Sequence, residues 1–262
     1  MAGKTMKNKH NYLRILLLCG LTFYLCLCLS MRITLRDTAL TEGDCQLYYI
    51  VNADGMKGLG HSILLLVDAD GAGTVFSFNG MQYSLGESLL GKAGVGKMST
   101  GTMDAEEVSR FLQTGNLELD EDQLTDNYDW ALYRNITESD MECILESTKP
   151  YIQAEQDFAA LYLLWAQTTD KAEREKLDEE LEAMSQDASL PLYRIYTNNC
   201  DHAARLLAAS ADRDMQTYSM HTWHMTPNGN LKAFSRRAPK WGAMELGENS
   251  VFENLLAFLM IF

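Results

Sequence analysis

The spacing of apolar and polar residues predicts strands in the first half of the chain. Residues 45–52 (CQLYYIVN) are rich in aromatic and β-branched side chains and predict a strand. Residues 61–80 contain two apolar runs separated by Asp-Ala-Asp-Gly-Ala-Gly, which predicts a β-hairpin. The glycine-rich residues 86–101 predict a loop, and residues 128–136 (YDWALYRNI) predict another strand.

Helical spacing appears at several later positions. A helix is expected to begin near Asp104 and to run to about Thr114, because an acidic cap is followed by Glu three residues later. A helical insertion is expected at about 137–187, with an interruption at Pro150. Residues 191–200 read as the end of a strand, and residues 201–210 as a compact helix. Within the insertion, an apolar face at i, i+3, i+4 and i+7, widened by two leucines, predicts a well-buried helix: Phe158, Leu161, Tyr162, Leu163, Leu164 and Trp165.

The amino terminus has the pattern of an export signal. Residues 15–31 form an apolar run of minimal length for a membrane span, and residues 1–14 before it are basic. Small residues that would mark a cleavage site are missing at the end of the run, so we expect an uncleaved signal anchor followed by a tether at 32–44. The excess of basic residues before the span places residues 1–14 in the cytoplasm and the remainder outside. The alternative is a cleaved signal and a secreted product.

The distribution of charge narrows the classes of partner. Residues 1–36 hold six basic side chains and no acidic one, so residues 37–262 carry a net charge of −20. A body this acidic repels phosphate backbones and disfavours nucleic-acid binding. The chain has 262 residues and is 47% apolar, which is sufficient for one cored domain at 45–262.

No metal or added cofactor is expected from the short motifs. Residues 91–97 match G-x-x-x-x-G-K, but the magnesium-binding Ser or Thr is replaced by Met98. Residues 68–71 (DADG) lack the remaining ligands of a calcium loop, and a hairpin turn explains them. The pair His221 and His224 lacks the usual spacing of a third zinc ligand.

The stronger candidates are Cys200 and His61. Three cysteines follow the predicted span, so at least one cannot form an internal disulfide bond. Cys200 lies where a strand ends and a helix begins, and helix N-terminal N–H groups favour a thiolate. His61 opens a strand, where it can act as the base for a nucleophilic thiol.

A third polar group is needed to orient the histidine, and Asn79 on the return strand is the candidate. A hairpin loop of five residues places Asn79 opposite His61, whereas a loop of six residues turns it to the other side. The backbone N–H of Cys200 is expected to form half of an oxyanion hole, with Asn199 or Tyr196 as guesses for the other donor. Taken singly, each residue is better explained by a structural role, and only the joint arrangement of the three favours a catalytic site.

Gly60-His61-Ser62 before a hairpin, with Asn198-Asn199-Cys200 before a helix of small residues, resembles the circularly permuted papain-like (NlpC-like) thiol hydrolases. In that branch, which includes lecithin retinol acyltransferase, the histidine precedes the cysteine. The resemblance implies an α+β fold, in which an antiparallel sheet packs on a nucleophile-bearing helix. It also implies Cys200 as nucleophile, His61 as base and Asn79 as orienting residue. The chain departs from the acyltransferases because it lacks a second histidine on the return strand and carries the helical insertion.

Three functions follow as hypotheses. The first is a membrane-anchored extracytoplasmic cysteine hydrolase that cleaves an amide, such as a cell-wall peptide bond, through a thioester. The second is a lipid-directed acyltransferase of the same fold, and the third is a non-catalytic membrane-anchored binding module. Rapid alkylation of Cys200 would distinguish a catalytic thiolate from a binding module.

Overall fold

We analysed a computed structural model of the chain. It describes residues 2–30, 33, 35–37, 42–55, 60–80, 93–119, 124–187, 189–211, 226–238 and 240–248; for 2–11, 27–30 and 124–125 only the backbone is described. The predicted zinc pair His221 and His224 and the apolar carboxyl terminus lie outside these residues.

The fold is α+β and is built on a seven-stranded antiparallel sheet, with the strand order β8-β4-β3-β2-β1-β7-β9. A separate hairpin pairs β5 with β6. The strands are β1 (Cys45–Asn52), β2 (His61–Val67), β3 (Gly73–Gly80), β4 (Gly94–Met103), β5 (Asn116–Leu119), β6 (Leu124–Asn127), β7 (Trp130–Ile136), β8 (Leu192–Tyr193) and β9 (Gly242–Glu245). The predicted strand at 45–52 and the hairpin at 61–80 are confirmed.

Six helices are present in the described part of the chain. They are α1 (Ala2–Ser30), α2 (Ala105–Thr114), α3 (Glu138–Gln167), α4 (Lys171–Gln186), α5 (Cys200–Ala211) and α6 (Pro227–Arg237). The predicted start of α2 is confirmed: Asp104 accepts a hydrogen bond from the Glu107 N–H, and the Glu107 carboxylate accepts one from the Asp104 N–H.

Side chains alternate along each strand, so the two faces of the sheet have separate cores. One face, called here the α5 face, carries Leu64 and Leu66 of β2 and packs against α3, α5 and α6. The opposite face, called the α2 face, carries Ile63 and Leu65 and packs against α2 and β5. This alternation decides on which side each polar residue at the end of β2 lies.

Helix α3 differs from expectation in two ways. It continues through Pro150, although the proline removes one helical hydrogen bond. Contacts of Ile144, Tyr151 and other residues with the α5-face core provide the compensating stabilisation. The prediction that α3 is well buried along residues 158–165 is only partly correct: Phe158 is buried and Leu161 and Trp165 are half-buried. Tyr162, Leu163 and Leu164 are exposed.

The glycine-rich segment was expected to be a loop, but residues 94–103 form β4, because pairing along all of β3 supplies the backbone hydrogen bonds.

The amino terminus is helical over Ala2–Ser30. Within the described residues, no helix has both the length and the apolar character required to cross a membrane, so the predicted membrane helix is not supported by the structure.

Candidate active site

Helix α5 begins at Cys200 because the preceding asparagine caps it. The Asn199 Oδ1 accepts a hydrogen bond from the backbone N–H of His202 at 3.1 Å, as expected of an N-cap residue. The Asn199 Nδ2 donates to the carbonyl of Ile195 at 2.8 Å. Asn199, which the sequence suggests as an oxyanion donor, therefore caps α5, and one of its amide N–H groups is hydrogen bonded to a backbone carbonyl.

Small residues bring α5 close to the sheet. Ala203, Ala204 and Ala208 are buried in the α5-face core, and the helix contacts β2 and β3. This packing leaves Cys200 only 2% exposed. Its sulfur lies beside Ser62 of β2, whose backbone N–H and hydroxyl both favour the thiolate.

Burial nevertheless determines the protonation state of Cys200. The pKa of the thiol is raised from 9.0 to about 11: loss of solvation is the main cause, the Ser62 backbone opposes it, and the neighbouring Asp201 carboxylate adds to it. The sequence-based expectation of a lowered thiol pKa is therefore wrong. The stabilisation provided by the helix N-terminus is smaller than the cost of placing a thiolate in the core.

The hairpin register resolves the position of Asn79. Val67 pairs with Gly73, so the loop has five residues, and continuation of this register places His61 opposite Asn79. Ser77 lies between them: its Oγ is 3.0 Å from His61 Nε2 and accepts a hydrogen bond from Asn79 Nδ2 at 3.0 Å. Ser77, which sequence reasoning missed, is the direct neighbour of the imidazole.

His61 is neutral at physiological pH. Burial lowers the pKa of its imidazole from 6.5 to about 4, and the negative charge of Asp126 opposes this shift. A neutral imidazole is in the protonation state that a general base requires.

Cys200 and His61 approach the end of β2 from opposite sides. Ser62 shares the α5 face with Leu64, whereas alternation directs His61 to the α2 face. Pairing of β2 with β3 ends at Leu64 and Phe76, whereas pairing with β1 continues to His61. The Cys200 sulfur lies near Ser62, one residue along β2 from the histidine. Cys200 and His61 are therefore close to the same strand end but on opposite faces of the sheet, and the imidazole is hydrogen bonded to Ser77.

A buried polar network, not anticipated from sequence, fixes the first turn of α5. The Asp201 carboxylate accepts hydrogen bonds from the Tyr49 hydroxyl at 2.5 Å, Arg205 Nε at 2.9 Å and Asn230 Nδ2 at 2.6 Å. Asp201 and Arg205 are almost completely buried, so each charge depends on the other. The spacing of four residues between them on a helix was the available sequence signal. The network ties α5 to β1 and α6 next to Cys200.

Tyr196, the other guessed oxyanion donor, lies in the turn before α5 and is 44% exposed. No group of three or more metal-binding side chains occurs among the described residues. Comparison with protein-family models, with curated proteins and with solved structures gave no match. The family resemblance therefore rests on the two short motifs.

Proposed function

We propose that this chain is a cysteine hydrolase of permuted papain-like architecture, with Cys200 as nucleophile and His61 as general base. The observation that carries the proposal is the position of Cys200. Its sulfur lies at the first turn of α5, beside Ser62 near the end of β2, where β2 remains paired with β1 but no longer with β3, and one residue along the strand from His61. A helix N-terminus and a nearby imidazole are the groups that activate thiol nucleophiles.

The resting pair is neutral, so proton transfer accompanies attack. The His61 imidazole takes the thiol proton while the sulfur bonds to the substrate carbonyl carbon. Because Nε2 contacts Ser77, Nδ1 is the ring nitrogen that remains for proton transfer. The tetrahedral intermediate then collapses, the imidazolium protonates the leaving amine, and water hydrolyses the remaining thioester with His61 again acting as base.

Ser77 and Asn79 supply the orientation that a base requires. The Asn79 amide donates to Ser77 Oγ, and the hydroxyl is in turn 3.0 Å from the His61 ring. Asn79 therefore acts through Ser77 as a positioning residue. To reach the thiol, the His61 ring must turn from the α2 face of the sheet toward Cys200 when substrate binds.

The proposed substrate is an amide, with an acyl lipid as the alternative. A test compares turnover of peptide amides and of acyl phospholipids by the wild type, Cys200→Ala, His61→Ala and the matched control Cys143→Ala, which changes an exposed thiol. Cys200→Ala should abolish turnover, and His61→Ala should reduce it about 100- to 10,000-fold. The product identifies hydrolysis or transfer. Full turnover by Cys200→Ala would contradict the proposal, and absence of turnover by the wild type would favour the binding-module hypothesis.

We also propose that α1 anchors the domain at the outer face of a membrane. Its apolar side chains are exposed, including Leu16 at 72% and Phe23 at 67%. The test treats intact cells with a membrane-impermeant maleimide and follows Cys143 on α3. Labelling without lysis supports the anchored topology, and labelling only after lysis contradicts it.

A further inference from the structure

The side chain of Ser62 is an unusual feature of the candidate site. It is 1% exposed, and its hydroxyl has no hydrogen-bond partner in the described part of the structure. The hydroxyl nevertheless lies near enough to the Cys200 sulfur to favour its thiolate. A buried hydroxyl without a partner is unfavourable, so its presence at this position requires an explanation.

We propose that the Ser62 hydroxyl is a catalytic group, which donates a hydrogen bond to the oxyanion formed when Cys200 attacks a carbonyl. This inference rests on the proposed function and supplies the second oxyanion donor beside the Cys200 backbone N–H. Ser62 projects from β2 toward α5, on the same face as the sulfur. A donor held next to the nucleophile is positioned where the carbonyl oxygen must lie.

All bonds, electron pairs and protons of this step are supplied by Cys200, His61 and the substrate. The sulfur–carbon bond forms as the carbonyl π bond opens, and the electron pair moves to the oxygen. The Ser62 O–H stabilises that charge and keeps its proton. On collapse the pair returns, the carbon–leaving-group bond breaks, and the leaving group receives the proton that His61 took from the thiol.

Because the Ser62 hydroxyl has no hydrogen-bond partner in the described structure, we expect its removal not to destabilise the fold. Replacing the hydroxyl by hydrogen removes a desolvated polar group without removing a hydrogen bond. Ser62→Ala should therefore unfold at the same urea concentration as the wild type, or at a higher one, while its catalysis falls. Ser185→Ala is the matched control, because Ser185 is also buried but donates to the Glu182 carbonyl at 2.8 Å. The control should lose stability and keep activity.

The experiment uses the full chain carrying Cys143→Ala, with p-nitrophenyl acetate as the acyl probe. The rate of acetylation of Cys200 is followed by peptide mass spectrometry in Ser62→Ala, Ser62→Thr, Ser185→Ala and Cys200→Ala. We expect Ser62→Ala to acetylate about 100- to 1,000-fold more slowly, as on removal of an oxyanion donor, and Ser62→Thr to recover part of the rate.

The outcomes are separable. A wild-type rate in Ser62→Ala overturns this inference and leaves the proposed function intact. Loss of rate together with a lower urea midpoint shows a structural role and also overturns it. A wild type whose Cys200 is not acetylated more than the denatured chain removes the proposed function, and this inference with it.

Discussion

The resting thiol of Cys200 should react slowly with alkylating agents, because only the thiolate is nucleophilic and burial keeps this thiol protonated. The alkylation rate therefore no longer distinguishes a catalytic cysteine from a binding module. With a pKa of about 11, about 0.1% of Cys200 is ionised at pH 8 in the folded protein. With the ordinary value of 9.0, about 10% is ionised in the unfolded chain. Folding should therefore slow alkylation by about 100-fold through ionisation alone, and exclusion of solvent should slow it further.

The assay treats native and urea-unfolded protein with isotopically distinct iodoacetamides and reads each cysteine peptide by mass spectrometry. Cys143 is the internal reference, because it is exposed in the folded protein. The native rate at Cys200 should rise about tenfold per pH unit between pH 8 and 10. A rate that levels off below pH 9, or that exceeds the rate at Cys143 at pH 7, would refute the conclusion that burial outweighs the helix N-terminus.

Three further predictions concern stability. The pKa of His61 is lowered from 6.5 in the unfolded chain to about 4 in the folded protein. The contribution of the neutral imidazole to the free energy of unfolding is therefore fully present above pH 6.5 and is lost as the pH falls toward 4. Urea unfolding should show a loss of up to about 3 kcal/mol over that range, and His61→Gln should lose correspondingly less; equal losses would contradict the shift. Gly60 has φ of +90°, and an added Cβ would lie 2.9 Å from Asn228 Oδ1, so Gly60→Ala should cost about 1–3 kcal/mol in the same assay. Phe158→Ala should lower the free energy of unfolding by about 3–5 kcal/mol, whereas Leu163→Ala on the exposed part of α3 should change it by less than about 0.5 kcal/mol. Similar losses for the two variants would show that α3 is buried along this whole face, as the sequence predicts.

The strands that were predicted from sequence are those whose local pattern and tertiary role agree. The run at 45–52 is a central strand, and the Asp-Ala-Asp-Gly-Ala-Gly turn joins β2 to β3 with a five-residue loop. Strand β4 was missed because glycine has little intrinsic strand preference, and only pairing with neighbouring strands, β8 at Gly94 and β3 at Gly96, places these residues in the sheet. Such pairing is long-range and leaves no local signal.

In the candidate site, too, the features with a local sequence signal were predicted and those set by long-range packing were not. The start of α5 at Cys200 follows from the local Asn-Asn-Cys sequence and its capping asparagine. The thiol pKa depends on how deeply α5 packs on the sheet, which no local pattern reveals. The link from Asn79 through Ser77 to His61 depended on loop parity, which the sequence left open. To assign Cys200 and His61 to a face of the sheet, the packing of α5 must be known as well as the alternation of side chains along β2.

The central claim is that His61 serves as base for Cys200. Its most direct test is the pH dependence of single-turnover acetylation of Cys200 by p-nitrophenyl acetate, in the wild type and in His61→Gln. The wild-type rate should rise with deprotonation of an imidazole of pKa near 4 and then stay level through neutral pH. The variant should react far more slowly and follow thiol ionisation, rising about tenfold per pH unit. Superimposable profiles for the two proteins would contradict the claim.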